Sequence, residues 1–198
     1  NYTDLGVLYQ KSSLNLLIVC GLVFLLIVFN LSDFYSFIPF TYKEGYYIVL
    51  IISFTKLYNA FLGNIDGIIF NSKYYNFIVL VGVLLIFITI YLNYIFIPLY
   101  GIEGAAISSL IAVCLYNSLK VYYVYLKFKL HPITLNTFKV ISLILVGFLI
   151  SFYVNFDFHP ILNIVLNSIL VSFIYISIVV FLKFSVDINN LIDKFLGK

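Results

Sequence analysis

The chain has 198 residues, 64% of them hydrophobic and only 10% charged, and its mean hydropathy is +1.13. Soluble domains carry roughly 25% charged residues, so this composition excludes an ordinary water-soluble globule and belongs with membrane proteins. The net charge of +3 comes with lysine and no arginine; nucleic-acid recognition wants an arginine-bearing basic stripe, so no nucleic acid is expected as a partner.

The chain opens at Asn1 and contains no methionine, which reads as an internal or C-terminal piece of a longer protein. Residues 1–12 are polar and no small-residue cleavage site follows the first apolar run, so a signal peptide is not expected. A membrane-spanning helix needs about 20 mostly apolar residues. Measured between charges and turn signals, the predicted spans are 12–32, 45–70, 76–97, 104–125, 140–156 and 160–182. The predicted fold class is therefore all-α, a polytopic membrane helix bundle of six transmembrane helices filling residues 1–182.

Turn chemistry marks the breaks. Pro39, with Asp33 and Ser36, separates the first two spans, and Asn71-Ser72 ends the second. Pro98 and Gly101 end the third, His131-Pro132 the fourth, and Asn155, Asp157 and Pro160 mark the last turn. These loops are short, so consecutive helices are expected as antiparallel neighbours. Residues 183–198 form a separate amphipathic tail. Phe184, Ile188, Leu191, Ile192, Phe195 and Leu196 share one helical face, with Asp187, Asp193, Lys194 and Lys198 off it. It is expected to lie along the cytoplasmic membrane surface, in contact with lipid; docking to a partner is the alternative.

Lysine placement sets the orientation. Six spans put Lys11, Lys73, Lys120, Lys127, Lys129, Lys139, Lys183, Lys194 and Lys198 on one side, against Lys43 alone on the other. Under the positive-inside rule the first side is cytoplasmic, and so are both ends of the chain. Tyr46, Tyr47, Tyr74, Tyr75, Tyr122, Tyr123 and Tyr125 gather where the membrane interfaces fall, as an aromatic belt does.

Lys56 lies within the second span, about 16 Å from its start and near the bilayer centre. A central ammonium costs roughly 3 kcal/mol to insert, so such a residue faces a cavity or a charged partner on another helix. Asp66 follows on the same predicted helix, about 80° around its axis; Asn59 and Gly63 fall between them. Lys56, Asn59 and Asp66 are the substrate-cavity candidates, with capping or a loop contact as the plainer reading of Asp66. Lys120 reads as a lysine that snorkels to the cytoplasmic interface. Asn76, Asn93, Asn117, Asn163 and Asn167 read as interhelical hydrogen-bonding amides. Gly101, Gly104, Ala105 and Ala106 form a small-residue stretch that lets helix backbones approach closely. Cys20 and Cys114 sit in apolar runs and read as packing residues. His131 and His159 fall in loops on opposite sides, so no metal or other cofactor is implied.

Residues 93–109, reading N-Y-I-F-I-P-L-Y-G-I-E-G-A-A-I-S-S, resemble the iP-yGi-GAA signature of bacterial polysaccharide flippases. These are the O-antigen and capsule lipid-linked oligosaccharide transporters of the multidrug/oligosaccharidyl-lipid/polysaccharide exporter superfamily. Gly63-Asn64 with residues 68–75 (I-I-F-N-S-K-Y-Y), and residues 8–13 (L-Y-Q-K-S-S), are similar to further segments of that family. The resemblance implies a two-lobe transporter working by alternating access, with this chain as its C-terminal lobe and an N-terminal lobe of the same protein as partner. It implies translocation of a polyprenyl-diphosphate-linked oligosaccharide across the bacterial inner (cytoplasmic) membrane, for lipopolysaccharide or other surface polysaccharide biosynthesis. That family often lines its cavity with arginine and lysine; this chain has no arginine, leaving Lys56 as its only central cation.

A multidrug or cation antiporter of the same superfamily is the nearest alternative, with Asp66 as its only intramembrane carboxylate. A membrane-embedded polysaccharide polymerase or acyltransferase would want a large outer loop or a His/Asp/Arg cluster. Neither is present in the sequence, so an enzyme is not expected. A non-transporting scaffold role for an isolated half-protein is a further alternative.

Overall fold

Long apolar runs with few breakers satisfy their backbone hydrogen bonds within one segment by forming helix, and the computed structural model is helical almost throughout. It describes residues 2–39, 42, 45–154, 156 and 158–195. Lys43, Asn155, Asp157, Leu196 and Lys198 lie outside the described residues, as do the side chains of Ile192, Asp193 and Phe195. In chain order the helices are α1 (Tyr2–Ser36), α2 (Gly45–Phe61), α3 (Ile65–Phe70), α4 (Tyr75–Phe128), α5 (Leu135–Ser151), α6 (Pro160–Phe181) and α7 (Val186–Phe195). No strand occurs among the described residues. Three helices, Thr3–Ser36, Tyr75–Phe128 and Pro160–Phe181, are long and apolar enough to cross a membrane, and α5 is a shorter apolar helix.

Large apolar side chains also cover the outside: Phe87, Ile90, Tyr91, Tyr94, Phe173 and Phe181 are all exposed. An apolar surface of this extent is untenable in water and suits lipid. The protein is a membrane-embedded helical protein.

The helix boundaries depart from the apolar intervals in four places. α1 begins at Tyr2 rather than near residue 12, because a polar segment can stay helical outside the hydrocarbon. The second interval is two helices: the chain breaks at Gly63, whose φ of +60° suits glycine. Asn64 then caps α3, its side chain accepting from the Gly67 N–H at 3.2 Å. α5 begins at Leu135 and ends at Ser151, several residues before the 140–156 interval at both ends. Thr134 and Thr137 form a capping box there, and Lys139 is accommodated inside the helix at its exposed end.

The fourth departure is α4, which joins the third and fourth intervals across 54 residues. A straight helix of that length would run about 81 Å, far more than the roughly 30 Å hydrocarbon layer. It is not straight. Gly101 has φ 59° and ψ −134°, a conformation closed to residues with a side chain. There the chain reverses, so α4 is a helical hairpin. Phe77 near its start stacks on Tyr123 near its end, with ring centroids 3.6 Å apart. At the closed end a Cβ on Gly104 would strike the Phe96 carbonyl. The reversal comes at Gly101 and leaves Pro98 inside the first arm.

The chain divides into two compact units. The first comprises residues 1–13 and 47–132. Its core packs Tyr9, Leu62, Ile65, Ile68, Ile69, Ile78, Val124 and Leu130 around α3. The start of α1 crosses the α2–α3 break tightly. Ser13 Oγ donates to the Phe61 carbonyl, and a Cβ on Gly63 would lie 2.8 Å from the Ser13 nitrogen. The second unit comprises residues 14–46 and 133–198. In it α6 runs antiparallel to α1: Tyr175 Oη donates to the Ile18 carbonyl at 3.0 Å, Asn167 Nδ2 to the Phe29 carbonyl at 3.3 Å, and Asn163 Nδ2 to Asp33 at 3.1 Å. α5 runs parallel to α1, with Ile144 and Leu25 filling the space beside Gly21 and Gly147.

α6 ends in a Schellman motif around Lys183, which takes a left-handed φ of 49°. The Phe184 N–H bonds the Val179 carbonyl at 3.2 Å and the Lys183 N–H that of Val180 at 3.1 Å. The tail is accordingly tied to the bundle at its start. Phe184 and Ser185 are buried. Asn15 Nδ2 donates to Asp187 at 3.0 Å and Asn15 Oδ1 accepts from Ser185 at 2.5 Å.

Candidate functional site

Within the first unit, α2, α3 and the second arm of α4 enclose a cleft of about 390 Å³. Apolar helices with short connections make such a cleft polar only where side chains aim into it. Here Asn59 comes from the last turn and a half of α2, Asp66 from the first turn of α3, and Tyr116, Asn117 and Lys120 from one face of α4. Leu62, Leu85 and Val113 supply apolar wall.

The charged pair dominates. Lys120 Nζ lies 2.7 Å from Asp66 Oδ1 and 4.2 Å from the centre of the Tyr116 ring. Its side chain is 4% exposed, whereas that of Asp66 is 52% exposed. The ammonium is thus the desolvated partner, held by a carboxylate that still faces the cleft. Beside them Asn117 Nδ2 donates to Asn59 Oδ1, and Tyr58 Oη meets Ser118 Oγ at 3.1 Å.

Of the cavity candidates, Asn59 and Asp66 line this cleft and Lys56 does not. Lys56 is exposed on α2, one turn before Asn59, and makes no ion pair among the described residues. The 80° relation drawn for Asp66 presumed one continuous helix, and the break at Gly63 removes that premise. The reading of Lys120 needs correction. It does not snorkel to the interface but is buried in an ion pair, because Asp66 stands opposite it. Asn117, expected as an interhelical amide, bonds across to Asn59; Asn163 and Asn167 bond to α1. The sequence carried only a partial signal for the pair: Asp66 and Lys120 are opposite charges, each isolated in an apolar stretch, but Lys56 fits the same description.

Gly101 makes the reversal of α4, while Gly104 and Ala106 are buried and Ala105 half-buried. The close approach permitted by Gly104 is to the first arm of its own hairpin. Gln10 Nε2 lies 3.4 Å from His131 Nδ1, and His159 caps α6, its Nδ1 accepting from the Ile161 N–H at 3.4 Å. Among the described residues no group of three or more His, Cys, Asp or Glu is placed to hold a metal, and Cys20 and Cys114 are free thiols.

Compared with protein-family profiles, with curated proteins and with solved structures, the chain matches none.

Proposed function

We propose that this chain is the C-terminal lobe of a polysaccharide flippase. In this reading it moves a polyprenyl-diphosphate-linked oligosaccharide across the bacterial cytoplasmic membrane by alternating access against an N-terminal lobe. The observation that carries the reading is the Asp66–Lys120 and Asn59–Asn117 cluster opening on a cleft between apolar helices. Intramembrane charges are costly, and they mark substrate paths by default. The resemblance of residues 63–75 and 93–109 to polysaccharide flippases narrows the substrate to a lipid-linked glycan.

Six crossings follow in this reading: α1, α2 with α3, each arm of α4, α5 and α6. The parallel α1–α5 pair, the antiparallel α1–α6 pair and the α4 hairpin all suit that count. Both ends are then cytoplasmic, with Lys73, Lys127, Lys129 and Lys183 on that side. Lys56, exposed on the α2 face beside the cleft, would face the N-terminal lobe and offer a further cation to the diphosphate. The antiporter alternative is weakened because its one carboxylate, Asp66, is already engaged by Lys120.

The test is complementation of a flippase-deletion strain with the full-length gene carrying wild type, Lys56→Ala or Lys120→Met. Surface polysaccharide restored by wild type, but not by a normally expressed variant, supports the reading and gives that lysine a role in transport. If wild type fails to restore it, the flippase reading is lost and drug efflux becomes the next assay.

A further inference from the structure

A second cleft, of about 690 Å³, opens where α3 and the second arm of α4 end. Its floor is apolar, with Leu5, Ile68 and Phe128, and its rim carries Asn64, Lys73 and Tyr74. Two ammonium groups converge on one ring here: Lys73 Nζ lies 5.1 Å from the centre of Tyr74 and Lys127 Nζ 5.4 Å from it. Neither has a carboxylate partner among the described residues. Asp4, one residue from Leu5 on the lining, pairs with neither. Both lysines are exposed, so each ammonium can reach an anion seated beside that ring.

Hydrogen-bond donors are also left over. The Asn64 carbonyl oxygen is spent on capping α3, which leaves its amide N–H groups to point elsewhere. In the 71–74 turn the N–H groups of Asn71, Ser72 and Tyr74 are all bonded, and that of Lys73 is not among those bonds. Cations, free N–H donors and an apolar floor at the end of membrane helices are the chemistry of a phosphate-bearing amphiphile. The volume falls within the usual range for a small-ligand site.

We propose that this cleft binds the phosphate headgroup of an anionic phospholipid, with Lys73 and Lys127 as the charged contacts and Asn64 as a neutral donor. The site is separate from the Asp66–Lys120 cleft, and it stands whether or not the chain carries glycans.

The test uses the full chain, purified in detergent and titrated with phosphatidylglycerol, phosphatidylcholine and soluble glycerol phosphate. Binding is read by native mass spectrometry and by the shift in thermal unfolding. Wild type is expected to prefer phosphatidylglycerol. Lys73→Gln with Lys127→Gln should weaken that binding by about 30-fold, roughly fivefold for each lysine. Lys139→Gln, an exposed lysine elsewhere, should leave it unchanged. Equal binding of both lipids, or equal loss in the Lys139 variant, overturns the proposal. Glycerol phosphate matching the lipid at equal concentration overturns the lipid source.

Discussion

The Lys120–Asp66 pair is asymmetric, and that asymmetry can be measured. Replacing Asp66 by asparagine keeps the shape and an acceptor oxygen but strips the charge facing a buried ammonium. At 2.7 Å and an effective dielectric of about 20, the gross attraction is about 6 kcal/mol. The carboxylate is half exposed, so water screens it and brings this to about 3 kcal/mol. D66N should therefore destabilise by about 2–4 kcal/mol, at or just below the range for breaking a fully buried pair. Lys120→Met works the other way. It removes the group that needs company and leaves a carboxylate that water already reaches, so it should cost less than about 1 kcal/mol. The double variant should match K120M, giving a coupling energy equal in size to the D66N cost, about 2–4 kcal/mol, in a double-mutant cycle. The assay is reversible unfolding in mixed micelles, followed by helical circular dichroism. If K120M costs as much as D66N, or if the two effects simply add, the buried-ammonium argument is wrong.

Three further outcomes follow from the packing. Gly63→Ala meets both a left-handed backbone and the Ser13 backbone 2.8 Å away, so it should cost about 2–4 kcal/mol. Gly82→Ala, with open space around its Cβ, should be neutral or slightly stabilising in the same unfolding assay. Phe77→Cys paired with Tyr123→Cys, in a C20A/C114A background, should cross-link with a short bis-maleimide and shift on a gel. A straight α4 would hold those positions about 69 Å apart and give no product. Asn15→Ala removes the contacts to Ser185 and Asp187, so α7 should loosen and cleavage at Lys194 by trypsin should rise roughly tenfold; an unchanged rate would mean that other contacts hold the tail.

Helical class, membrane residence and the strong breaks were legible in the sequence because each is a local property. Insertion cost is counted residue by residue, so apolar intervals find helices without knowledge of their neighbours. Pro160 starts α6 because its ring and missing N–H suit a first helical turn. Local cues were weaker where a break needed a neighbour to explain it. By sequence Gly63 reads as one more residue of a continuous helix, and only the crossing of α1 at Ser13 gives its break a purpose. The end of α5 likewise fell short of its apolar interval.

Tertiary structure alone decided which charges meet. By sequence position Lys56, mid-interval, reads as the central cation, and Lys120, near an end, as a peripheral one. Fold-back of α4 at Gly101 instead sets one α4 arm against α2 and α3, which puts Lys120 opposite Asp66 and Asn117 opposite Asn59. Sequence periodicity says which residues share a face of one helix. It does not say which helix lies across from that face, and an ion pair depends on both.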